Sequence, residues 1–209
     1  MKGSNKLSEI ILEILYPKVV CPVCRSIHPG ICIPCRDSLK VYDEGGLYDQ
    51  DMGISLFRHH EEAKLLISNF KKKMIFSAGD TMADLIIERC GDELKHFDVI
   101  TFAPSSKKSR KNLGFDHGKY LAGAVSGKTG VPVVSLFMAA GKEQKELDRE
   151  ERADNAKKIR LRKENFSRLK GKKALLIDDV YTTGSTVLQC LKLMEELHME
   201  CRYLTFSRL

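Results

Sequence analysis

Residues 174–177, Ala-Leu-Leu-Ile, are an uninterrupted apolar run of strand-forming type, which suits a strand covered on both faces. From about Ser185 the apolar positions Val187, Cys190, Leu191, Met194 and Leu197 recur at helical spacing, so the intervening loop joins a parallel strand to a helix. Upstream, Ala63, Leu66, Ile67 and Phe70 predict a helix over residues 61–70, and Met82, Ala83, Leu85, Ile86 and Ile87 predict another over 79–89. Strand-like pieces occur at 39–42, 54–57, 97–102, 131–137 and about 203–206, with a helix around 120–125 and a turn at Gly45-Gly46. Residues 7–15 are apolar on one face, with Glu9 and Glu13 on the other, and Pro17 stops that amphipathic helix.

The strand-to-helix junction holds the densest chemistry. It reads Asp178, Asp179, Val180, Tyr181, Thr182, Thr183, Gly184, Ser185, Thr186. The carboxyl edge of an α/β sheet is where such folds bind ligands. Free N–H groups at a helix start, Gly184 for a tight turn and four loop hydroxyls make a cradle for a phosphate dianion. Two adjacent acids cannot hold that phosphate themselves. They require hydroxyl donors or a cation, and a ribose diol beside Mg²⁺ supplies both. An acid pair and a Ser/Thr-rich cap can also simply end a strand and start a helix, but one cap residue is enough for that. No Lys-Ser or Lys-Thr follows Gly184, so the Walker A grip on a nucleoside triphosphate is absent. Residues 172–186 closely resemble the ribose 5-phosphate motif of the type I phosphoribosyltransferases. The resemblance implies that the two acids hold the ribose diol, and that the loop holds the 5′-phosphate of phosphoribosyl pyrophosphate.

The chain has 209 residues, room for one α/β domain and a small appendage. A formal net charge of +7 favours phosphorylated ligands or nucleic acid without separating them. The longest uncharged run, residues 129–141, is shorter than the roughly 18 residues of a membrane helix, so no membrane insertion is expected. No cleavage-site pattern follows the first helix, which argues against a secretory signal. Four of the seven cysteines fall within fifteen residues, as Cys21-Pro-Val-Cys24 and Cys32-Ile-Pro-Cys35. That spacing matches a structural zinc site in which four thiolates close the coordination sphere. Two disulfides are the rival reading, and a composition otherwise suited to a reducing, cytoplasmic compartment argues against them. A knuckle of this size has almost no core of its own, so the metal would supply most of its folding energy. His28 reads as a loop residue, and Cys90, Cys190 and Cys201 read as buried thiols. With Arg25 and Arg36 but little else that is basic, the knuckle suits a scaffold or protein contact better than a DNA reader.

Two further basic stretches matter. Lys107, Lys108, Arg110 and Lys111 follow the strand at 97–102, where a leaving pyrophosphate would be met. Lys71, Lys72 and Lys73 read as a solvated charge run between two helices. The whole chain resembles the competence protein F (ComF, or ComFC-like) family, which joins a four-cysteine knuckle to a phosphoribosyltransferase domain. The features that carry this are the knuckle, Pro104 and the basic turn, Leu113-Gly114-Phe115-Asp116-His117, then Gln144, Arg149, Arg152 and Asn155, and finally the acid pair. Leu113 stands where that box normally has Arg, Asp116-His117 replace Asn-Gln, and Ser106 replaces a second proline. A lost guanidinium removes a bidentate anion grip that Lys does not reproduce.

The resemblance implies a doubly wound, mainly parallel α/β sheet with the N-terminal helix and zinc knuckle at residues 1–38 and the phosphoribosyltransferase-like domain at 39–209. It implies phosphoribosyl pyrophosphate with Mg²⁺ at Asp178 and Asp179, with Lys107, Lys108 and Arg110 as leaving-group contacts. It also implies a cytosolic role in uptake of single-stranded DNA beside a helicase-like partner. Two alternatives stand next to that role: an active phosphoribosyltransferase on an unidentified base, and a non-catalytic nucleotide sensor or interaction protein. Residues 141–173 are dense in charge. Lys157, Lys158, Arg160, Arg162 and Lys163 form a tract that is either a solvated loop or the mobile hood of a transferase, and a candidate contact for single-stranded DNA. Phe166 is the only aromatic residue near that tract, so stacking platforms for bases are scarce.

Overall fold

In the computed structural model the residues described are 20–48, 52–105, 114–138, 159–162 and 166–209. The strands are β1 (Gly53–Arg58), β2 (Val99–Phe102), β3 (Phe137–Met138), β4 (Arg160–Leu161), β5 (Lys173–Tyr181) and β6 (Glu200–Arg208). The helices are α1 (Ile33–Asp37), α2 (Glu61–Lys73), α3 (Phe76–Leu94), α4 (His117–Thr129), α5 (Phe166–Leu169) and α6 (Ser185–Glu195). Four strands form a parallel sheet in the order β1-β6-β5-β2. The short strands β3 and β4 pair antiparallel as a separate ribbon.

The apolar run at 174–177 lies near the middle of that sheet because its side chains alternate into two cores. Leu175 and Ile177 join Leu204 and Phe206 in a cluster with Leu66 and Phe70 of α2, Met82 and Ile86 of α3 and Leu121 of α4. Ala174 and Leu176 join Tyr203 in a second cluster with Val187, Cys190, Leu191 and Met194 of α6. A sheet with helices on both faces is the expected doubly wound arrangement.

Several boundaries differ from the sequence reading, each for a local reason. The predicted strand at 131–137 is reduced to a single parallel bridge, Val133 to Ile100, and the two-residue β3. Pro132 has no N–H to give a ladder, although its carbonyl accepts from Ile100 N at 2.9 Å. The piece at 39–42 contributes one antiparallel bridge, Val41 to Phe57. The helix predicted to stop at 70 continues through Lys71, Lys72 and Lys73 and ends at Met74 in the left-handed region, φ 53°. The cations in that last turn are favoured by the helix dipole. The helix predicted over residues 7–15 lies outside the described residues.

The knuckle does not stand apart from the domain. Cys21, Val23, Cys32 and Cys35 are buried in the same cluster as α2, α3 and β1, so the knuckle uses the domain's core in place of one of its own. Asn69, 2% exposed on α2, donates its Nδ2 to the Pro22 carbonyl at 2.6 Å. Arg36 of α1 pairs with Glu88 of α3 at the surface. Removing the buried amide by Asn69→Ala leaves the Pro22 carbonyl without its donor. The substitution is expected to lower stability by about 1–3 kcal/mol. Urea unfolding measures it, and a loss below about 0.5 kcal/mol, the range of ordinary surface changes, would contradict this attachment.

Candidate functional site

β5 is paired on both sides, so its last residues are delivered to the carboxyl edge of the sheet in a fixed place. There Asp178 and Asp179 face a cavity of about 630 Å³. Val180, Thr182 and Thr186 also line it, as do Pro104 and Ser105 after β2, His117 at the start of α4, His59 after β1, and Lys64, Lys71 and Lys72 of α2. The parallel order thus brings the ends of β1, β2 and β5 and the starts of α4 and α6 to one opening.

Asp179 is 4% exposed, and Lys71 Nζ forms an ion pair with its Oδ2. His117 Nε2 lies 4.0 Å from the same oxygen. The Asp179 backbone amide donates to Asp178 Oδ1 at 2.9 Å, which fixes the Asp178 carboxyl against the chain. Burial and the Asp179 charge push Asp178 up to about 8. Burial also works to raise Asp179, but Lys71 and His117 outweigh it and hold that carboxyl below its usual range. Burial disfavours the Lys71 charge, yet Asp179 and Asp178 raise its pKa overall. Burial depresses both His117, against the opposing pull of Asp179, and His59, whose Nδ1 lies 2.8 Å from Ser207 Oγ.

The loop after β5 has the backbone expected of an anion cradle. Gly184 has φ +74°, and a Cβ placed there would lie 2.1 Å from Tyr181 Oη. Glycine is therefore required by both the backbone and the space. Thr183 Oγ1 and Ser185 Oγ are 2.8 Å apart, and Ser185 N donates to Thr183 Oγ1 at 3.4 Å. No side chain caps α6, whose N-cap is Gly184. Thr183 Oγ1 thus takes the Ser185 N–H at the mouth of the helix, while the N–H groups of Thr186 and Val187 stay open to an anion. Tyr181 backs the loop and does not line the cavity. Its ring packs on Tyr203 at 5.4 Å and lies under the Arg208 guanidinium at 4.4 Å.

Of the residues singled out in the sequence, Asp178, Asp179, Val180, Thr182 and Thr186 line the cavity, while Tyr181, Thr183, Gly184 and Ser185 shape the loop beside it. Lys107, Lys108 and Arg110 lie outside the described residues, as do Leu113, Gln144, Arg149, Arg152 and Asn155. The replaced box has a structural use for its acid: Asp116 Oδ1 accepts from Ser105 Oγ at 2.9 Å and from Lys119 N at 3.2 Å, capping α4. Its neighbour His117 turns to the cavity.

Lys71 corrects the reading of residues 71–73 as a solvated run. Its position was legible in principle, because 63, 67, 70 and 71 continue one helical stripe and Ala63, Ile67 and Phe70 are buried. His59 carried no such signal. The donor set also bears on the Mg²⁺ that the resemblance attaches to the acid pair. A hard cation takes ionised oxygen donors. Here Asp179 already holds the Lys71 ammonium, so a divalent ion at the pair would have to displace it.

The four-cysteine cluster is a separate centre. None of the seven cysteines is in a disulfide. The sulfurs of Cys21, Cys24, Cys32 and Cys35 all lie within 4.8 Å of one another, with Cys24 and Cys32 at 3.6 Å. Tetrahedral bonds of about 2.3 Å put neighbouring thiolates about 3.8 Å apart, so the cluster has the dimensions to hold a metal ion. Among the described residues no helix is long and apolar enough to cross a membrane.

Residues 116–203, from the cap of α4 into β6, match the family model of the phosphoribosyl transferase domain. A comparison with curated proteins returns no match. Among solved structures, adenine phosphoribosyltransferase from Leishmania tarentolae is 14% identical with a TM-score of 0.45, over 84% of this chain and 85% of that one. The adenine enzyme from Trypanosoma brucei, solved with AMP, pyrophosphate and ribose-5-phosphate, is 13% identical with a TM-score of 0.45, over 84% and 78%. Orotate phosphoribosyltransferase from Aeropyrum pernix is 14% identical with a TM-score of 0.44, over 69% and 64%.

The raised pKa of Asp178 has a sign that can be checked. A carboxyl at about 8 when folded and 3.8 otherwise binds more protons in the folded state throughout that window. Its contribution to stability is therefore present at low pH and lost as pH rises from about 4 to about 8. Asp178→Asn cannot ionise. Its stability relative to the native chain is expected to improve steadily as denaturant unfolding is repeated from about pH 5 to about pH 8. A pH-independent difference would contradict the burial of this carboxyl.

Proposed function

We propose that this chain binds the ribose 5-phosphate part of phosphoribosyl pyrophosphate, or of a nucleotide made from it, and acts as a phosphoribosyltransferase on an unidentified acceptor. The observation that carries this reading is the meeting of an acid pair and an uncapped, glycine-turned hydroxyl loop at one cavity. The ribose hydroxyls donate to Asp178 and Asp179. The phosphate accepts from the open first turn of α6 and from Thr182, Thr183, Ser185 and Thr186, with Val180, Tyr181 and Gly184 shaping the loop. Lys107, Lys108 and Arg110 are assigned to the leaving pyrophosphate. Transfer of this kind asks little covalent work of the protein, because the charge that builds on the leaving group needs only neutralisation. The match of residues 116–203 to the phosphoribosyl transferase domain supports the same assignment.

The competence setting, with single-stranded DNA and a helicase-like partner, draws less support. Within the basic tract, Arg162 donates to the Phe137 carbonyl at 3.3 Å and Arg160 to the Ile159 carbonyl at 2.9 Å, so two of its cations serve local structure. Neither the family model nor the neighbours named above are specific to competence proteins.

Titration calorimetry with ribose 5-phosphate and phosphoribosyl pyrophosphate tests the binding, and pyrophosphate release with a panel of bases tests turnover. Gly184→Ala forces the loop out of its left-handed turn and into Tyr181. It is expected to weaken ribose 5-phosphate by about tenfold or more and to cost about 1–3 kcal/mol of stability. Equal affinity in the native chain and the variant would overturn the loop's role. For the knuckle we propose one structural zinc on Cys21, Cys24, Cys32 and Cys35, measured by elemental analysis as about one zinc per chain. A chelator should lower the melting temperature, since the site shares its burial with the main core. Metal-free protein that melts unchanged would contradict it.

A further inference from the structure

The buried pair between Lys71 and Asp179 has no ready explanation in stability. Placing two charges where water is scarce costs several kcal/mol, and packed apolar residues often do as well or better. The Lys71 side chain is 27% exposed and that of Asp179 5%, and both line the cavity. The pair is supplied by α2, in whose last turn Lys72 and Lys73 follow. His117 stands behind the same carboxylate oxygen, and Lys64 and Lys72 complete the cationic lining.

Two adjacent carboxyls at a strand end need a positive charge if either is to stay ionised and accept from a sugar hydroxyl. In this cavity the protein provides that charge from its own helix. A divalent ion would have to displace the ammonium from Asp179. With Asp179 neutralised by Lys71, the remaining lysines leave the opening positive, which suits a phosphate dianion.

We infer that Lys71 is a built-in counter-cation for the acid pair, so that the cavity takes a phosphorylated sugar diol with no divalent ion on Asp178 or Asp179. The inference rests on the ribose phosphate reading above. It assigns Lys71 as a positioning residue, acting through Asp179 on the bound hydroxyls. Metal carried by a pyrophosphate group would sit on the ligand and is not in question.

The test uses the full chain and ribose 5-phosphate, titrated with a chelator and again with millimolar Mg²⁺. The native affinity is expected to change by less than about twofold between the two, whereas Lys71→Met loses about tenfold or more in chelator, the scale of one charged hydrogen bond, and regains most of it with Mg²⁺. Lys71→Arg keeps the charge and should bind in chelator within a few-fold of the native chain. Mn²⁺ gives an independent readout: it should broaden the ³¹P signal of bound ligand in Lys71→Met and not in the native chain. Native binding that requires Mg²⁺, broadening by Mn²⁺ in the native chain, or Lys71→Met binding unchanged in chelator would each overturn the inference while leaving the ribose phosphate reading intact. Failure of ribose 5-phosphate to bind under either condition would overturn both. Should Lys71→Met not fold, the native and Lys71→Arg titrations and the native ³¹P signal still decide.

Discussion

Burial of β5 on both faces is the constraint from which the site follows. Leu175 and Ile177 are fixed in one core, Ala174 and Leu176 in the other, and neighbouring strands pair with both edges. A strand held that way cannot slip by one residue without exchanging the contents of the two cores. The positions of Asp178 and Asp179 at its end are therefore as well determined as the cores themselves. The same rigidity delivers the loop, because Gly184 turns the chain directly against Tyr181, which packs on Tyr203 of β6.

The helix α2 carries a second coupling. Asn69 holds the Pro22 carbonyl of the knuckle, and two residues later Lys71 holds Asp179 of the cavity. The residues between and before them, Ile67 and Phe70, are buried in the core that also contains Cys21, Cys32 and Cys35. The knuckle is thus part of the support for the cationic wall of the cavity. Loss of order in the knuckle would reach Lys71 through one short helix, with no need for the knuckle to touch a ligand.

What could be read without the fold divides along physical lines. The apolar run at 174–177, the α6 stripe and the cysteine spacing report local periods and local geometry, and the central strand, the loop and the sulfur cluster all follow from them. The strand foreseen at 131–137 failed because Pro132 withholds a ladder hydrogen bond even where its neighbours are apolar. Lys71 was missed for a different reason. A lysine in a run of three is solvated unless a distant carboxylate claims it, and Asp179 lies far along the chain on another element. His59 belongs to the same class, since its Ser207 partner is brought to it only by the pairing of β1 with β6.

These long-range contacts also settle how the charges of the site balance. Adjacent acids on a buried strand repel each other, and burial alone would neutralise both. The structure resolves the conflict unequally: Asp179 is kept ionised by Lys71 and His117, while Asp178 is left to bear the penalty of burial and of its neighbour's charge. The unequal pair offers a ligand two different groups, an acceptor with a fixed charge and a carboxyl that can donate as well as accept. A vicinal diol presents two hydroxyls, each able to do either, so one can donate to Asp179 while the other serves both roles with Asp178. A phosphate placed on the acids would meet only one fixed negative charge and one weak donor. It is better served by the open turn of α6, where no side chain caps the helix. On the proposed ribose phosphate reading, the division of labour between diol and phosphate along this single junction is thus a consequence of which charge the fold neutralises.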